Sequence, residues 1–512
     1  MSESSKLAQR FWELAQIQPK KLAIRFGMPG QTEDFDFAKF WRRVERVTGH
    51  LQVTHGLKSG QRVAWLGLNH ELQLVTLVAC ARLGLIFMPL NFRLAVAELK
   101  MVLQDAKPSI LIHDELHANA VVSLAIDVPQ SCHLESLIAT ASAKNLALPA
   151  VDDCADVLLV YTSGTTGLPK GAVHTQAGLL ANAKASDEAH AFKPIDIVLS
   201  TLPMFHVGGL CIQTLPALLA GVQVVLHPRF DPTAWLDEMN TSRPSLSLLV
   251  PATMRAVFEH PHWAETSLAC LRGIMTGSST VPVAYLETLH ARGVPVGQVY
   301  GTTETGPVSI VLRLPEAMAR VGASGWPHPQ AQVKLIDADG QEIGHGATGE
   351  VCIRADNLMR GYWSAQGQGQ EQGQSGLGLQ DGWFHSGDLG QRAEDGCITI
   401  VGRSKDMIIS GGENIYPAEI ENQLVTLPGV AESAVIGMAD ARWGEVPVAV
   451  LVRSPDAAGQ ALSAEAVLAH LHPRIARFKL PRRVVFMGSL PKSALGKVQK
   501  PALQALLTGT NP

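Results

Sequence analysis

Between Tyr161 and Gly171 the chain reads YTSGTTGLPKG, directly after the apolar run Val157 to Val160. That run reads as a buried strand. A strand that opens into alternating hydroxyls and glycines, and closes on a lysine, can hold phosphate. Glycines such as Gly164 and Gly167 let backbone N–H groups converge on phosphate oxygens. The hydroxyls of Thr162, Ser163, Thr165 and Thr166 donate further hydrogen bonds, and Lys170 brings a point charge. The spacing of Gly164, Gly167 and Lys170 does not fit the GxxxxGK loop of P-loop ATPases, which disfavours that class. Further along stand Glu304 within YGTTETG, Asp388 within SGDLG, Lys497 closing PKSALGK, and His206 within PMFHVGG. Taken singly, each has an ordinary explanation: a surface carboxylate, a capping aspartate, a solvated lysine, a packed core histidine.

The elements that must hold these residues alternate. Phe37, Phe40, Trp41, Val44, Val47 and Leu51 recur at three- and four-residue steps, the mark of an amphipathic helix. Gly60 then punctuates. Arg62 to Gly67 reads as a buried strand, 70–83 as a helix and Ile86 to Leu90 as the next strand. Leu99 to Asp105 and Ile110 to Ile112 repeat the cycle. Such alternation predicts an α/β fold with mostly parallel strands. The rhythm changes near residue 403. Glu419 to Leu427 reads as helix, Val430 to Ile436 and Val446 to Val452 as strands, 463–472 as helix and Val484 to Phe486 as strand. That is enough for a small α+β domain. The boundary falls at Gly402 to Asp406, dividing the chain into 1–402 and 403–512. Ser364 to Asp381, SAQGQGQEQGQSGLGLQD, is rich in Gln and Gly and predicts a mobile surface loop.

Bulk composition narrows the function. At 512 residues the chain is too long for one ordinary core. Its 42 basic and 46 acidic side chains leave a net charge of −4 and no broad basic face, so no nucleic-acid partner is expected. Seven widely spaced cysteines without a CxxC pair read as reduced thiols packed as small hydrophobes in a cytoplasmic protein, rather than as disulfides or a zinc site. The opening MSESSKLAQRFWELAQ carries charge and no apolar core, unlike a signal peptide. The most apolar stretch, Val75 to Leu90, is interrupted by Arg82, Gly84 and Pro89, so no transmembrane segment is expected.

The order of the motifs adds what no single one supplies. TSGTTGLPKG at 162–171, YGTTETG at 300–306 and SGDLG at 386–390 resemble the signatures of the adenylate-forming (AMP-binding) enzymes. GRSKD at 402–406, SGGENIYP at 410–417 and PKSALGK at 491–497 resemble the rest, in family order across roughly residues 155–500. The superfamily holds acyl-CoA synthetases, peptide-synthetase adenylation domains and luciferases. SGGENIYP is similar to the form found in fatty-acyl, aryl and cinnamoyl CoA ligases. The resemblance implies a large N-terminal domain of mixed, mostly parallel sheets with helices, and a small mobile α+β C-terminal domain carrying the hinge and a catalytic lysine.

It also implies a reaction. A carboxylic acid attacks the α-phosphate of ATP, giving acyl-AMP and pyrophosphate; a thiol, coenzyme A, then takes the acyl group and AMP leaves. Positioning and charge neutralisation carry such a displacement, and no protein nucleophile is needed. By resemblance, Thr162, Ser163, Gly164, Thr165, Thr166, Gly167 and Lys170 hold the β- and γ-phosphates. Glu304 holds Mg²⁺, a hard cation suited to a carboxylate. Thr303 binds the α-phosphate. Tyr300 lies against adenine, with Gly277, Ser278 and Ser279 opposite. Asp388 accepts from both ribose hydroxyls, Arg403 reinforces them, and Lys497 reaches the α-phosphate and the substrate carboxylate. His206, Val207, Gly208, Ser278, Gly301 and Thr302 line the acyl pocket, where small uncharged residues imply an apolar fatty or aromatic acid. No arginine falls within these pocket motifs, which disfavours dicarboxylates. Lys405 aligns with the hinge, and Ser410, Gly411 and Gly412 face the coenzyme A side. A homodimer is common in the family. Two rivals share the motifs: an adenylation enzyme that loads a separate carrier protein or a luciferase-like oxygenase, and an AMP-sensing protein without catalysis. The complete set Lys170, Glu304, Asp388, Arg403 and Lys497 speaks against the sensor.

Overall fold

The computed structural model describes residues 5–124, 128–139, 146–163, 169–277, 281–363, 379–411, 413–493 and 496–509. The helix expected from Phe37 spans Phe37–Gly49 and buries Phe37, Phe40, Trp41, Val44 and Val47. Its first turn is capped by the Asp36 carboxylate, which accepts from Lys39 N–H at 2.6 Å. It does not run on as an α-helix to Leu51, because His50–Thr54 is wound as a π-turn. The next helix, Glu71–Leu83, is buried on every side. Its apolar run therefore has no polar face, and length rather than periodicity is what marks it as a helix.

Among the described residues the strands form four sheets. The first is nine-stranded, its interior strands parallel from Val296–Tyr300 through Gly273–Gly277, Leu246–Leu249, Ile197–Ser200 and Gln223–Leu226 to Leu22–Met28. The second, seven-stranded, runs parallel through Ser131–His133, Ile110–His113, Arg62–Leu66, Ile86–Pro89 and Asp156–Ser163. Its far edge is antiparallel, formed by Pro169–Thr175 and Gly361–Tyr362. Helices cover both sheets, and side chains from helices Lys6–Ile17, Phe37–Gly49 and Glu71–Leu83 share one core with them. Alternating β and α elements account for this parallel part.

The third sheet departs from the expected parallel rhythm. Ala331–Ile336, Thr348–Ala355, Trp383–Arg392 and Ile398–Arg403 pair antiparallel in it. Of the expected loop 364–381, residues 364–378 lie outside the described residues. Its last residues do not fit that reading. Leu379–Gln380 pairs with Phe384 and Trp383, and Leu379 packs with Ala172, Met359 and Phe384.

One turn, Ser404–Asp406, separates Arg403 of the third sheet from Ile408–Ser410 of the fourth. The fourth sheet joins Val430–Asp440, Gly444–Arg453 and Arg483–Met487, with the helices Pro417–Leu424 and Ala464–Leu471 packed on it. This smaller unit has its own core around Ile420, Leu424, Val435, Leu451 and Val467. All seven cysteines are free thiols. Cys80, Cys211, Cys352 and Cys397 are buried as expected, whereas Cys154 is exposed and Cys132 and Cys270 are half-buried. Among the described residues, no helix is long and apolar enough to cross a membrane.

Candidate active site

The first sheet delivers Tyr300 at the end of Val296–Tyr300, and the third delivers Asp388 and Arg403 from facing positions on antiparallel strands. Tyr300 Oη donates to Asp388 Oδ2 at 2.9 Å, and Arg403 Nε lies 3.0 Å from Oδ1. Each carboxylate oxygen thus has one fixed donor and keeps further acceptor capacity. Burial raises the Asp388 pKa despite the pull of Arg403, Tyr300 and Lys497. Burial and the Asp388 charge together push the Tyr300 phenol well above its ordinary value, so it remains a donor.

Beyond Tyr300 the chain turns sharply. A Cβ on Gly301 would overlap Pro307 O, and Gly306 sits at φ +85° against Asn357 O. Only glycine meets both demands. These contacts fix the turn Thr303–Thr305 beside 357–359, where Met359 N–H donates to Glu304 O at 2.8 Å. Tyr362 Oη donates to Glu304 Oε1 at 2.7 Å, and Lys170 Nζ lies 5.4 Å from the centre of the same ring. Tyr362 therefore ties Lys170 to Glu304. Thr303 is buried in this turn, and the buried Thr302 Oγ1 has no hydrogen-bond partner among the described residues. A buried hydroxyl of that kind suits a bound group.

The phosphate loop closes the hairpin between Asp156–Ser163 and Pro169–Thr175, with Thr162 opposite Lys170 and Ser163 opposite Pro169. Thr162 Oγ1 donates to Lys170 O at 3.4 Å. The expected phosphate ligands Gly164, Thr165, Thr166 and Gly167 lie outside the described residues, as do Ser278, Ser279 and Gly412. Gly277 ends its strand in close approach to Val299 O.

Lys497 arrives from the smaller unit. It stands on a tight hairpin in which Ser493 N–H donates to Lys497 O at 2.8 Å and Lys492 bridges Val498. The residue keeps solvent access, yet surrounding protein lowers the ammonium pKa, and Arg403 adds to that. Asp388 and Glu304 act in the opposite direction. The last hairpin of the chain thus lies within electrostatic reach of Asp388 and Arg403 of the third sheet and of Glu304 in the turn after Tyr300. His206 is there too: burial brings its pKa down to about 4, and the Lys497 charge pushes the same way. His206 Nδ1 accepts from Gly208 N–H at 3.0 Å, so the neutral ring carries its proton on Nε2. Val207 and Gly208 are buried behind it.

The remaining expected residues stand apart from this cluster. Lys405 is exposed in the turn Ser404–Asp406. Ser410 ends a strand, and Gly411, at φ +61°, donates its N–H to Trp443 O and lies against the indole. Two residues were missed by sequence reasoning. Tyr362 follows Gly361 in a two-residue strand without any periodic pattern. Arg255, on helix Pro251–Phe258, donates through Nη1 to Ala431 O of the smaller unit, a contact no local signal announces.

This arrangement has relatives. The model of the "AMP-binding enzyme" family matches residues 11–363, and that of the "AMP-binding enzyme C-terminal domain" matches 419–497. The chain is 42% identical over 505 residues to an indoleacetate–CoA ligase of Aromatoleum aromaticum, covering 96% of each chain. It is 39% identical over 498 residues to a feruloyl-CoA synthase of an Amycolatopsis species, covering 95% of this chain and 96% of the other. Its fold resembles an o-succinylbenzoate CoA synthetase of Bacillus subtilis solved with the acyl-adenylate intermediate OSB-AMP. The TM-score is 0.85 at 29% identity, over 97% of both chains. The same enzyme solved with ATP and a magnesium ion gives a TM-score of 0.84 at 29% identity, over 96% of this chain and 98% of that one.

Proposed function

The chain belongs to the AMP-binding enzyme family, and from that premise we propose an ATP-dependent acid–CoA ligase with its labour divided between two units. The acid's carboxylate attacks the α-phosphorus of ATP and the bond to pyrophosphate breaks. Coenzyme A sulfur then attacks the acyl carbon, and AMP leaves. The observation that carries this reading is the electrostatic proximity of Lys497 to Asp388, Glu304, Arg403 and His206. A mobile cation set among groups suited to a nucleotide is what a displacement at phosphorus requires.

The residues take their roles from that arrangement. Asp388, held by Tyr300 and Arg403, retains acceptor capacity for the ribose hydroxyls. Thr162 and Lys170 flank the loop that cradles the outer phosphates. Glu304, oriented by Tyr362, offers the hard oxygen that Mg²⁺ prefers, and Mg²⁺ supplies charge neutralisation on the phosphates. Thr303 N–H or Oγ1 and Lys497 Nζ serve the α-phosphate, where negative charge gathers as the carboxylate adds. His206, neutral with Nε2–H as donor, orients the incoming carboxylate. Val207, Gly208 and Gly301 form an uncharged wall behind it.

We place the boundary between the two units in the turn Ser404–Asp406, within the expected span Gly402 to Asp406 and just beyond Arg403 of the third sheet, with the hinge at Lys405. Rotation there withdraws Lys497 and brings Ser410, Gly411 and Gly412 toward the thiol. An aromatic acid is the favoured substrate class, because the two relatives nearest in sequence among those above act on indoleacetate and form feruloyl-CoA. A cytoplasmic setting suits seven free thiols.

Pyrophosphate release with ATP and Mg²⁺, across aryl, cinnamoyl, fatty and dicarboxylic acids, with and without coenzyme A, tests the reading. The expected result is strong stimulation by coenzyme A and an aryl-CoA product. Acyl-AMP formation that ignores coenzyme A would assign the enzyme to carrier-protein loading instead.

A further inference from the structure

We infer that His50, His55 and Cys132, remote in sequence from every motif above, form a binding site for a borderline-soft divalent metal ion, with Zn²⁺ its natural occupant. One ligand atom from each of the three residues lies within 4.8 Å of the others. The backbone explains how two histidines five residues apart come together. In an α-helix, with 3.6 residues per turn, they would differ by about 140°. Here the chain leaves helix Phe37–Gly49 through the π-turn His50–Thr54, closed by His55 N–H donating to His50 O at 3.2 Å. An i→i+5 turn stacks such residues on one side, and π-turns concentrate at functional positions.

The donor set is also oriented. His55 Nδ1 lies 2.6 Å from Gln130 Oε1, so Nδ1 carries the proton and the Nε2 lone pair points inward. It faces His50 Nε2 at 3.1 Å. A tetrahedral ion with bonds of about 2.0–2.1 Å to nitrogen holds two ligand nitrogens about 3.3–3.4 Å apart. Cys132 comes from the edge strand Ser131–His133, two positions beyond Gln130, and adds sulfur to two imidazoles. Imidazole and thiolate together select zinc-like ions over Mg²⁺. The Cys132 proton leaves to solvent as the sulfur–metal bond forms. The ion would pin the end of the Phe37–Gly49 helix to the edge of the second sheet, remote in role from adenylation. The competing arrangement is an imidazole–imidazole hydrogen bond with a proton in the metal's place.

Titration of the chelator-treated full-length protein with Co²⁺, and with Zn²⁺ against a chromophoric chelator, separates the two. One equivalent of metal per chain and a thiolate-to-cobalt charge-transfer absorption are expected. Cys132→Ser should abolish that absorption. His55→Ala should weaken Zn²⁺ binding at least tenfold, and Gln130→Leu, which leaves all three ligands in place, by about 10–100-fold. Zn²⁺ should raise the melting temperature of the wild type but not of the Cys132→Ser chain. Pyrophosphate release near wild-type level shows that each variant is folded. The second cluster, Glu350, Cys352 and His385, needs its own control. An absorption that survives Cys132→Ser or vanishes with Cys352→Ser overturns the assignment. So does the absence of stoichiometric uptake by the wild type.

Discussion

The two halves of the candidate site are built differently. On the side of the large unit both carboxylates are fixed by neighbours. Asp388 is held by Tyr300 and Arg403 across two sheets, and Glu304 by Tyr362 and by a turn that two close-packed glycines hold in shape. On the side of the small unit, Lys497 stands on a hairpin held by its own backbone and joined to the rest through the single turn Ser404–Asp406. The first half is preorganised; the second is delivered. A two-step reaction at one nucleotide site needs that asymmetry: AMP must stay put while the group that helped form the adenylate makes way for the thiol.

The sharpest way to break the comparison is Lys497→Ala. If the lysine serves only the displacement at phosphorus, adenylation falls by about 10²–10³-fold, the loss typical of one oriented charge-stabilising donor. Thioester formation from supplied acyl-AMP should stay within about twofold of wild type. Single-turnover measurement of each half-reaction decides it, and equal losses would mean that both halves of the site act as one.

Asp388→Asn probes the fixed half. It removes the charge that pairs with Arg403 and leaves an amide between two donors. Losing a hydrogen bond to a charged group costs about 1.5–3 kcal/mol, or about 10–100-fold in kcat/KM for ATP. Because AMP is held through both steps, the thioester step should suffer as well. A defect confined to adenylation would show that Asp388 belongs with the delivered half.

How much of this was legible in the sequence follows the same division. Ordered motifs pointed to Lys170, Glu304, Asp388, Arg403 and Lys497, and the structure brings the side chains of these residues into one neighbourhood. Periodicity found the helix at Phe37–Gly49 because one face is apolar. It missed the π-turn that follows, since no residue type marks a switch from i→i+4 to i→i+5 bonding. It missed the antiparallel third sheet, whose strand Ala331–Ile336 is only half buried and lacks a continuous apolar run. Tyr362 escaped because a two-residue strand carries no period, and its partner Glu304 is fixed by folding alone.

That missed residue supplies the next test. Tyr362→Phe keeps the ring beneath Lys170 and deletes one hydroxyl. A single hydrogen bond to a carboxylate whose backbone the turn Thr303–Thr305 already fixes is worth about 1.5 kcal/mol, or about tenfold. The effect should appear as a higher Mg²⁺ requirement for pyrophosphate release, with kcat at saturating Mg²⁺ nearly unchanged. A fall in kcat that Mg²⁺ cannot restore would place Tyr362 at the reacting phosphate.

The smallest expected effect lies where the two halves touch. Arg255 donates to Ala431 O and also pairs with Glu259 at 2.7 Å. If the small unit rotates as proposed, the first contact exists only while that unit sits as it does here. It therefore biases the orientation without entering the chemistry. Deleting it with Arg255→Ala removes about 0.5–1.5 kcal/mol from one side of a two-state equilibrium. Adenylation should fall while the thioester step from supplied acyl-AMP rises, the ratio of the two rates shifting by about 2–10-fold and neither step alone by as much. The opposite signs matter more than their size. General destabilisation would depress both half-reactions, and a nucleotide-binding role would raise the KM for ATP, so only a contact that favours one orientation over the other produces a gain in one step against a loss in the other.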